Sequence, residues 1–395
     1  MSCKLPRSMA LAVGLLVSWA CNDETSSPVT PEVSSTITPA LAAAAALTFR
    51  QVSTGVTHTC GVTTSDVAYC WGSNGSGQLG TGSTTGPETC PFITDGCSTR
   101  PAAVTGGLKF RQVSAGFNVT CGVTTTNLAY CWGDNLSPDG RNSARPVAVP
   151  GGRRFRQVTA GTSHACGVTP VNKAFCWGQF GGGALGNGTF TGSSSPVAVK
   201  AGGLLFAEVR AGYSHTCGRT TDNRAYCWGD NGEGQLGDGT RSWRTKPVPV
   251  LGGISFRNVS GGLFHSCGVS TSSTAYCWGR NEGRIGDGSD VRRRLRPKAV
   301  AGGLLWLTAD AGGAVSCALT TANQAYCWGG TPTPVPGELR FVQLETNGGS
   351  SLAEEHTCAV TATGKAYCWG SNRFGTLGDG TTTDRSSPTA VLGPA

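Results

Sequence analysis

Short segments that alternate apolar and polar residues recur along the chain in nearly the same letters. FRQVSTG (Phe49 to Gly55), FRQVSAG (Phe110 to Gly116), FRQVTAG (Phe155 to Gly161), FAEVRAG (Phe206 to Gly212) and FRNVSGG (Phe256 to Gly262) each read as a strand of period two. A second strand follows each and carries a cysteine, and a third reads aromatic-Cys-Trp-Gly, as in Tyr69-Cys70-Trp71-Gly72 and Phe175-Cys176-Trp177-Gly178. A fourth reads P-x-x-V: Pro101 to Val104, Pro146 to Val149, Pro196 to Val199, Pro247 to Val250, Pro297 to Val300 and Pro388 to Val391. Gly/Ser/Thr turns separate them, and helical periodicity is scarce. Four short strands per unit at a period near 50 predict the blades of an all-β propeller rather than the two or three domains that 395 residues would otherwise suggest.

Cysteines fix the copy number. Fourteen of the eighteen fall into seven C-x9-C pairs: Cys60/Cys70, Cys121/Cys131, Cys166/Cys176, Cys217/Cys227, Cys267/Cys277, Cys317/Cys327 and Cys358/Cys368. The first cysteines are spaced 61, 45, 51, 50, 50 and 41 residues apart, one pair per unit, hence seven blades. A hairpin turning near Ser65 places Cys60 opposite Cys70, Tyr69 opposite Gly61 and Trp71 opposite Thr59. Directly opposed residues have Cα atoms about 4.5–5.5 Å apart, within disulfide range, so one hairpin disulfide per blade is expected. Each closes a short loop, worth roughly 2–3 kcal/mol. A small residue follows every first cysteine (Gly61, Gly122, Gly167, Gly218, Gly268, Ala318, Ala359), which leaves room for the aromatic across the ladder. Cys90 and Cys97, in the insertion that lengthens the first interval, are expected to form an eighth bridge.

The histidines offer an alternative. His58, His164, His215, His265 and His356 each sit two residues before a first cysteine, on its face of the strand, so a His-Cys-Cys metal trio is conceivable. Zinc sites use CxxC or HxxxH clusters with four closed ligands, and two units carry Val119 and Val315 in place of the histidine. Disulfides, no metal, and histidines that bond strands or blades are the expectation.

The N-terminus has a basic start (Lys4, Arg7), an apolar run from Met9 to Ala20, and then Cys21. This predicts a secretory signal over 1–20, too short for a membrane span. It resembles a bacterial lipoprotein signal, which implies lipidation of Cys21, although Ser18-Trp19-Ala20 departs from the usual lipobox. Ordinary cleavage near Ala20 is the other outcome. Residues 21–46 read as a Ser/Thr/Pro/Ala-rich linker and 47–395 as the propeller. Export and seven cysteine pairs both call for an oxidising compartment. The expected location is the bacterial cell envelope or the medium, with membrane contact only through an N-terminal lipid.

The unit V-x-x-G-x-x-H-x-C-G, A-Y-C-W-G-x-N, G-Q-L-G-x-G, P-x-x-V resembles the regulator of chromosome condensation (RCC1) repeat over about 47–395. Gly75 to Gly80, Gly232 to Gly237 and Gly375 to Gly378 are close matches, and Asn281 to Gly288 a looser one. Kelch, the rival at this period, lacks the tight Y-x-W-G. The resemblance implies a seven-bladed propeller, and the cysteine pairs suit a secreted bacterial branch. Because the chain starts with F-R-Q-V and stops after P-x-x-V, Pro388 to Val391 is expected to pair beside Phe49 to Val52 and close the ring with strands from both termini.

No catalytic constellation stands out: GxSxG, HExxH and the P-loop are missing. The G-Q-L-G glycines read as turn residues, and Asp230 to Gly234 has an incomplete calcium ladder. No cofactor is expected. The formal net charge is +8, and much of the excess clusters before P-x-x-V: Arg241, Arg244 and Lys246 around Trp243 in the fourth unit, and Arg292, Arg293, Arg294, Arg296 and Lys298 in the fifth. Arg141 and Arg145 occupy the same place in the second. A basic patch with an aromatic suits an anionic protein or glycan, with nucleic acid disfavoured at a cell surface. The second and sixth units lack both the histidine and the G-Q-L-G loop (Asn135 to Gly140; Thr331 to Pro334), and such divergent loops are where specific contacts often sit. The function expected is a monomeric, non-enzymatic binding scaffold at the bacterial surface. Guanine-nucleotide exchange, as in the founding family, is the alternative, then a secreted enzyme inhibitor or an enzyme with a dispersed channel site.

Overall fold

The computed structural model describes residues 47–91, 96–134, 142–179, 182–347 and 354–394. The signal, the linker and Cys21 lie outside them, as do Asn135 to Gly140 and Arg141. The described residues form seven four-stranded antiparallel sheets, each from four consecutive strands. The blades span Phe49–Ala103, Phe110–Ala148, Gln157–Ala198, Phe206–Pro249, Phe256–Ala299, Trp306–Pro334 and Phe341–Ala390.

Within each blade the F-R-Q-V strand is innermost and the P-x-x-V strand outermost. In blade one the register pairs Cys60 with Cys70, Gly61 with Tyr69 and Thr59 with Trp71. The same direct opposition joins Cys121 to Cys131, Cys166 to Cys176, Cys217 to Cys227, Cys267 to Cys277, Cys317 to Cys327 and Cys358 to Cys368. The tip residue has positive φ (Asp66, Asn127, Asn172, Asn223, Ser273, Asn323, Gly364), which suits Asn, Asp and Gly. Its carbonyl accepts the first inner-strand N–H of the next blade, as Asp66 does from Phe110 at 2.8 Å.

The ring closes differently from the expected terminal strand pair. Arg385–Ala390 pairs with Ala366–Gly370 in its own blade, and Phe49–Thr54 pairs with His58–Thr63. Every unit already holds a complete blade, so neither end is left needing a partner. Closure uses the contacts found between other blades: Phe49 N donates to Gly364 O at 2.7 Å, and Gln343 brackets Val52 with bonds of 3.0 and 3.1 Å. Val391 packs into the apolar cluster of Phe49, Val52 and Trp71.

Two local details also differ from expectation. A Cβ on Gly61 would lie 2.6 Å from the Phe49 ring, so the small residue makes room for the inner-strand aromatic rather than for Tyr69. Thr333–Pro334, read as part of a lost loop, is the outer strand of blade six and pairs with Tyr326 and Cys327. In the other six blades the Trp-Gly glycine is a bulge at positive φ, and a Cβ at Gly72 would come within 2.7 Å of the His58 backbone. Blade six has no such bulge at Gly329.

Candidate functional site

The seven hairpin pairs hold their sulfurs at bonding distance: Cys60–Cys70, Cys121–Cys131, Cys166–Cys176, Cys217–Cys227, Cys267–Cys277, Cys317–Cys327 and Cys358–Cys368. Their Cα atoms are 4.0–4.1 Å apart. That is closer than the about 4.5–5.5 Å expected of opposed residues, because the bridge draws the two strands together. Cys90 and Cys97 form the eighth pair, with Cα atoms 6.0 Å apart. The sulfurs therefore bond one another and supply no thiolate for the His-Cys-Cys trio. Among the described residues no cluster of three or more His, Cys, Asp or Glu is placed to hold a metal ion.

The two cysteines of a pair have different surroundings, which the sequence reading did not anticipate. Sγ of the first lies near a hydroxyl of the next blade, as Cys60 does at 3.7 Å from Thr120 and Cys217 at 3.6 Å from Ser266. The second faces the outer strand of its own blade: Cys131 pairs with Val147, Cys227 with Val248, Cys277 with Lys298 and Cys368 with Thr389. Cys131, Cys227, Cys277 and Cys368 are all buried, so they staple the blade and present nothing to a partner.

Each histidine instead reaches into the next blade. Its Nε2 bonds the hydroxyl just before the first cysteine there: His58 to Thr120 (2.7 Å), His164 to Thr216 (2.9 Å), His215 to Ser266 (2.8 Å), His265 to Ser316 (2.8 Å) and His356 to Thr59 (2.7 Å). Where blade two has Val119, blade three has Ala165 in place of the hydroxyl, so donor and acceptor are lost together. Burial holds these imidazoles neutral, lowering His164 to about 4 and His58, His215, His265 and His356 to about 3.

The expected basic patch divides into two sets. Arg244 and Arg294 pair with Asp238 and Asp287 inside their own loops. Arg293 joins blade five to Glu233 of blade four, and its bond holds that carboxyl below its ordinary range. Arg241 donates to Gly232 O at 2.7 Å. These four brace loops. Lys246, Arg292, Arg296 and Lys298 are exposed, and their side chains make no hydrogen bond or ion pair among the described residues. Trp243 is 50 % exposed. Arg296 and Lys298, with Arg293, Arg294 and Leu295, border an open depression of ≈ 370 Å³ beside Gly239.

The sequence reading named a channel but not the residues that line it. The residue after F-R-Q-V lines it in six blades, as Ser114, Thr159, Arg210, Ser260, Asp310 and Glu345, and Thr54 lines it in the first. The small side chains link neighbouring blades, with Ala115 N donating to Ser53 Oγ at 3.0 Å, Ala160 N to Ser114 Oγ at 3.0 Å and Ala211 N to Thr159 Oγ1 at 3.1 Å. Asp310 accepts from Ser260 and from Thr346 N, and Glu345 from Ser53 at 3.1 Å. Burial opposes the Arg210 charge, but Glu345, Glu208 and Asp310 outweigh it and raise its pKa. Burial likewise pushes both acids up, Glu345 to about 8. The enclosed space is only ≈ 50 Å³, room for waters rather than a substrate. The signal was legible: three charged residues at a position that is Ser or Thr in four other units.

Comparison with known proteins agrees with the repeat. The RCC1 repeat matches residues 49–78, 110–137, 206–235, 256–283 and 354–376 in one form and 66–123 and 222–269 in another. The ultraviolet-B receptor UVR8 of Arabidopsis thaliana is 28 % identical over 209 residues, 51 % of this chain and 46 % of that protein. The chain thus matches less than half the length of that relative. The crystal structure of human WBSCR16 superposes with a TM-score of 0.73 at 20 % identity, covering 83 % of this chain and 94 % of that one. Prp20p from Saccharomyces cerevisiae gives 0.69 at 17 % identity, covering 84 % and 87 %. With the repeat matched in blades one, two, four, five and seven of a seven-bladed ring, the chain belongs to the regulator of chromosome condensation (RCC1) repeat family.

Proposed function

We propose that this propeller is a non-catalytic binding scaffold, displayed outside the cytoplasm, that meets an anionic protein or glycan through the rim of blades four and five. The observation that carries it is the division of the basic cluster. Four arginines are consumed in bracing loops, yet Lys246, Arg292, Arg296 and Lys298 stay exposed in blades four and five, as does the half-exposed Trp243. Unpaired cations with an accessible aromatic supply both steering and an anchor.

Eight cysteine pairs at bonding distance support an oxidising compartment. With the apolar run before Cys21, this supports export from a bacterial cell and lipidation of Cys21. Metabolic lipid labelling of wild type against Cys21→Ser tests the anchor, and equal labelling overturns it.

Guanine-nucleotide exchange on a small GTPase is the competing reading. Its support is the fold shared with Prp20p, a protein reported to bind Gsp1p and histones. Compartment separates the two, because a disulfide-stabilised exported propeller does not meet a cytosolic GTPase. The test is a pull-down from envelope fractions with wild type and with Lys246→Ser/Arg296→Ser/Lys298→Ser. The scaffold reading expects a salt-sensitive partner that the triple variant loses. A partner retained at full strength by that variant excludes the patch.

A further inference from the structure

Five blades share one device at their border with the next. The loop after Trp-Gly lays a backbone carbonyl over the following blade, where it accepts the indole N–H and a hydroxyl. Gln78 O receives Trp132 Nε1 and Thr120 Oγ1, both at 2.9 Å. Ala184 O receives Trp228 (2.8 Å) and Thr216 (3.0 Å), and Gln235 O receives Trp278 and Ser266, both at 2.9 Å. Arg284 O receives Trp328 and Ser316, both at 2.9 Å, and Thr376 O receives Trp71 (2.8 Å) and Thr59 (2.9 Å). The next residue is aliphatic and buried every time: Leu79, Leu185, Leu236, Ile285 and Leu377.

Blade seven carries the same receptor without the loop. Trp369 and Thr357 stand in the usual places, but blade six runs from Trp328 to its outer strand at Thr333 through only Gly329 to Pro332. A cleft of ≈ 510 Å³ opens there, bordered by Val315, Cys317, Cys327, Glu355 and Trp369. Trp369 Nε1 has no hydrogen-bond partner among the described residues, and the ring is 7 % exposed. The Thr357 hydroxyl turns to Thr346 at 2.8 Å instead. Glu355 is only 6 % exposed. Its Oε1 accepts from Ala314 N and Val315 N, while its Oε2 has no partner among the described residues. A buried polar atom left unpaired is costly, so the cleft favours a donor at that point.

We infer that the cleft between blades six and seven binds a peptide turn from a partner protein, of the small-x-aliphatic-Gly type that the chain itself supplies at its other borders. Its carbonyl accepts from Trp369 Nε1, and from Thr357 Oγ1 once that hydroxyl turns away from Thr346. Its aliphatic side chain fills the space beside Val315 and the Cys317–Cys327 pair, and an N–H meets Glu355 Oε2. The volume falls within the range of small-ligand pockets and takes a few residues. The internal repeats define this chemistry, so the inference stands independently of the basic rim.

The test uses the full chain with its tryptophans 15N-labelled on the indole nitrogen, and a synthetic peptide of residues 231–240 (NGEGQLGDGT). Trp369→Phe assigns the Trp369 signal. Peptide should shift that indole resonance and leave the others in place. A peptide with aspartate in place of the leucine should bind at least about 10-fold more weakly. Ser386→Trp, an exposed substitution at the cleft edge, should abolish the shift, and Ser194→Trp, its counterpart in blade three, should not. No shift at millimolar peptide overturns the inference, whether the cleft rejects peptide or the chain's own residues fill it. Equal binding of the aspartate peptide, or binding unchanged by Ser386→Trp, also overturns it.

Discussion

The border between blades three and four and the border between blades six and seven are built on one plan and finished differently. At the first, His164 reaches Thr216, the Gln157 amide brackets Val209 with bonds of 2.8 and 3.1 Å, and Ala184 O caps Trp228. At the second all three devices are gone: Val315 replaces histidine, Thr308 replaces glutamine, and the capping loop is missing. Substitutes fill part of the gap. Glu355 accepts two N–H groups of blade six, and Leu319, Phe341, Leu344 and Trp369 form an apolar cluster, while the inner-strand link persists, Asp310 accepting Thr346 N at 2.8 Å as Thr159 accepts Ala211 N at 3.1 Å. The difference teaches that a propeller border can lose three polar links together when apolar packing takes over, and that unpaired groups then mark the surface left open.

The largest test of that contrast removes the indoles. Trp228 is fully buried beneath its cap, so Trp228→Ala should cost about 3–5 kcal/mol. Trp369 lacks the cap, so Trp369→Ala should cost less, about 2–3 kcal/mol. Urea midpoints with disulfides intact measure both, and equal losses would break the comparison.

Acid separates the borders next. His164 is neutral in the folded protein, its pKa lowered by burial from 6.5 to about 4. Between those values the unfolded chain binds a proton that the folded one refuses, so stability falls as pH falls. One such site contributes about 3 kcal/mol across the window. Glu345 runs the opposite way: burial pushes it up to about 8, so the folded state holds its proton where the unfolded chain has lost it, and stability falls as pH rises from about 4.5. A difference between variants therefore isolates the histidine. His164→Val/Thr216→Ala copies the Val119/Ala165 pair, and its urea stability should fall less steeply than wild type below pH 6.5. An unchanged slope would mean that His164 titrates freely in the fold.

Much of this was legible in the letters. Period-two strands and the C-x9-C spacing give blade number, hairpin register and the seven hairpin cysteine pairs, because a cross-strand disulfide demands direct opposition. Ring closure was misread: P-x-x-V at one end and F-R-Q-V at the other are equally compatible with a shared blade and with whole blades, and only the pairing of Arg385–Ala390 decides. Which cations of the basic cluster are paired was not legible, since charge counting does not show that Arg244, Arg294 and Arg293 meet Asp238, Asp287 and Glu233. The loss of the blade-six loop was visible, but what it uncovers depends on Trp369 and Glu355, which only folding brings to the same cleft.

The smallest effect is the most specific to the contrast. Gln157 makes two hydrogen bonds across its border, and Gln157→Thr reproduces the blade-six residue there. The backbone groups of Val209 then lose both partners, and a loss of about 1–2 kcal/mol follows. Thr308 Oγ1 is buried without a partner among the described residues, and the inner strand of blade seven runs beside that of blade six as that of blade four runs beside that of blade three. Thr308→Gln should reach Leu344 as Gln157 reaches Val209, gaining up to about 1 kcal/mol and slowing hydrogen exchange at the Leu344 amide. If the amide does not slow, the two borders differ in strand spacing as well as in side chains, because a glutamine would then fail to span the gap that it bridges elsewhere in the ring.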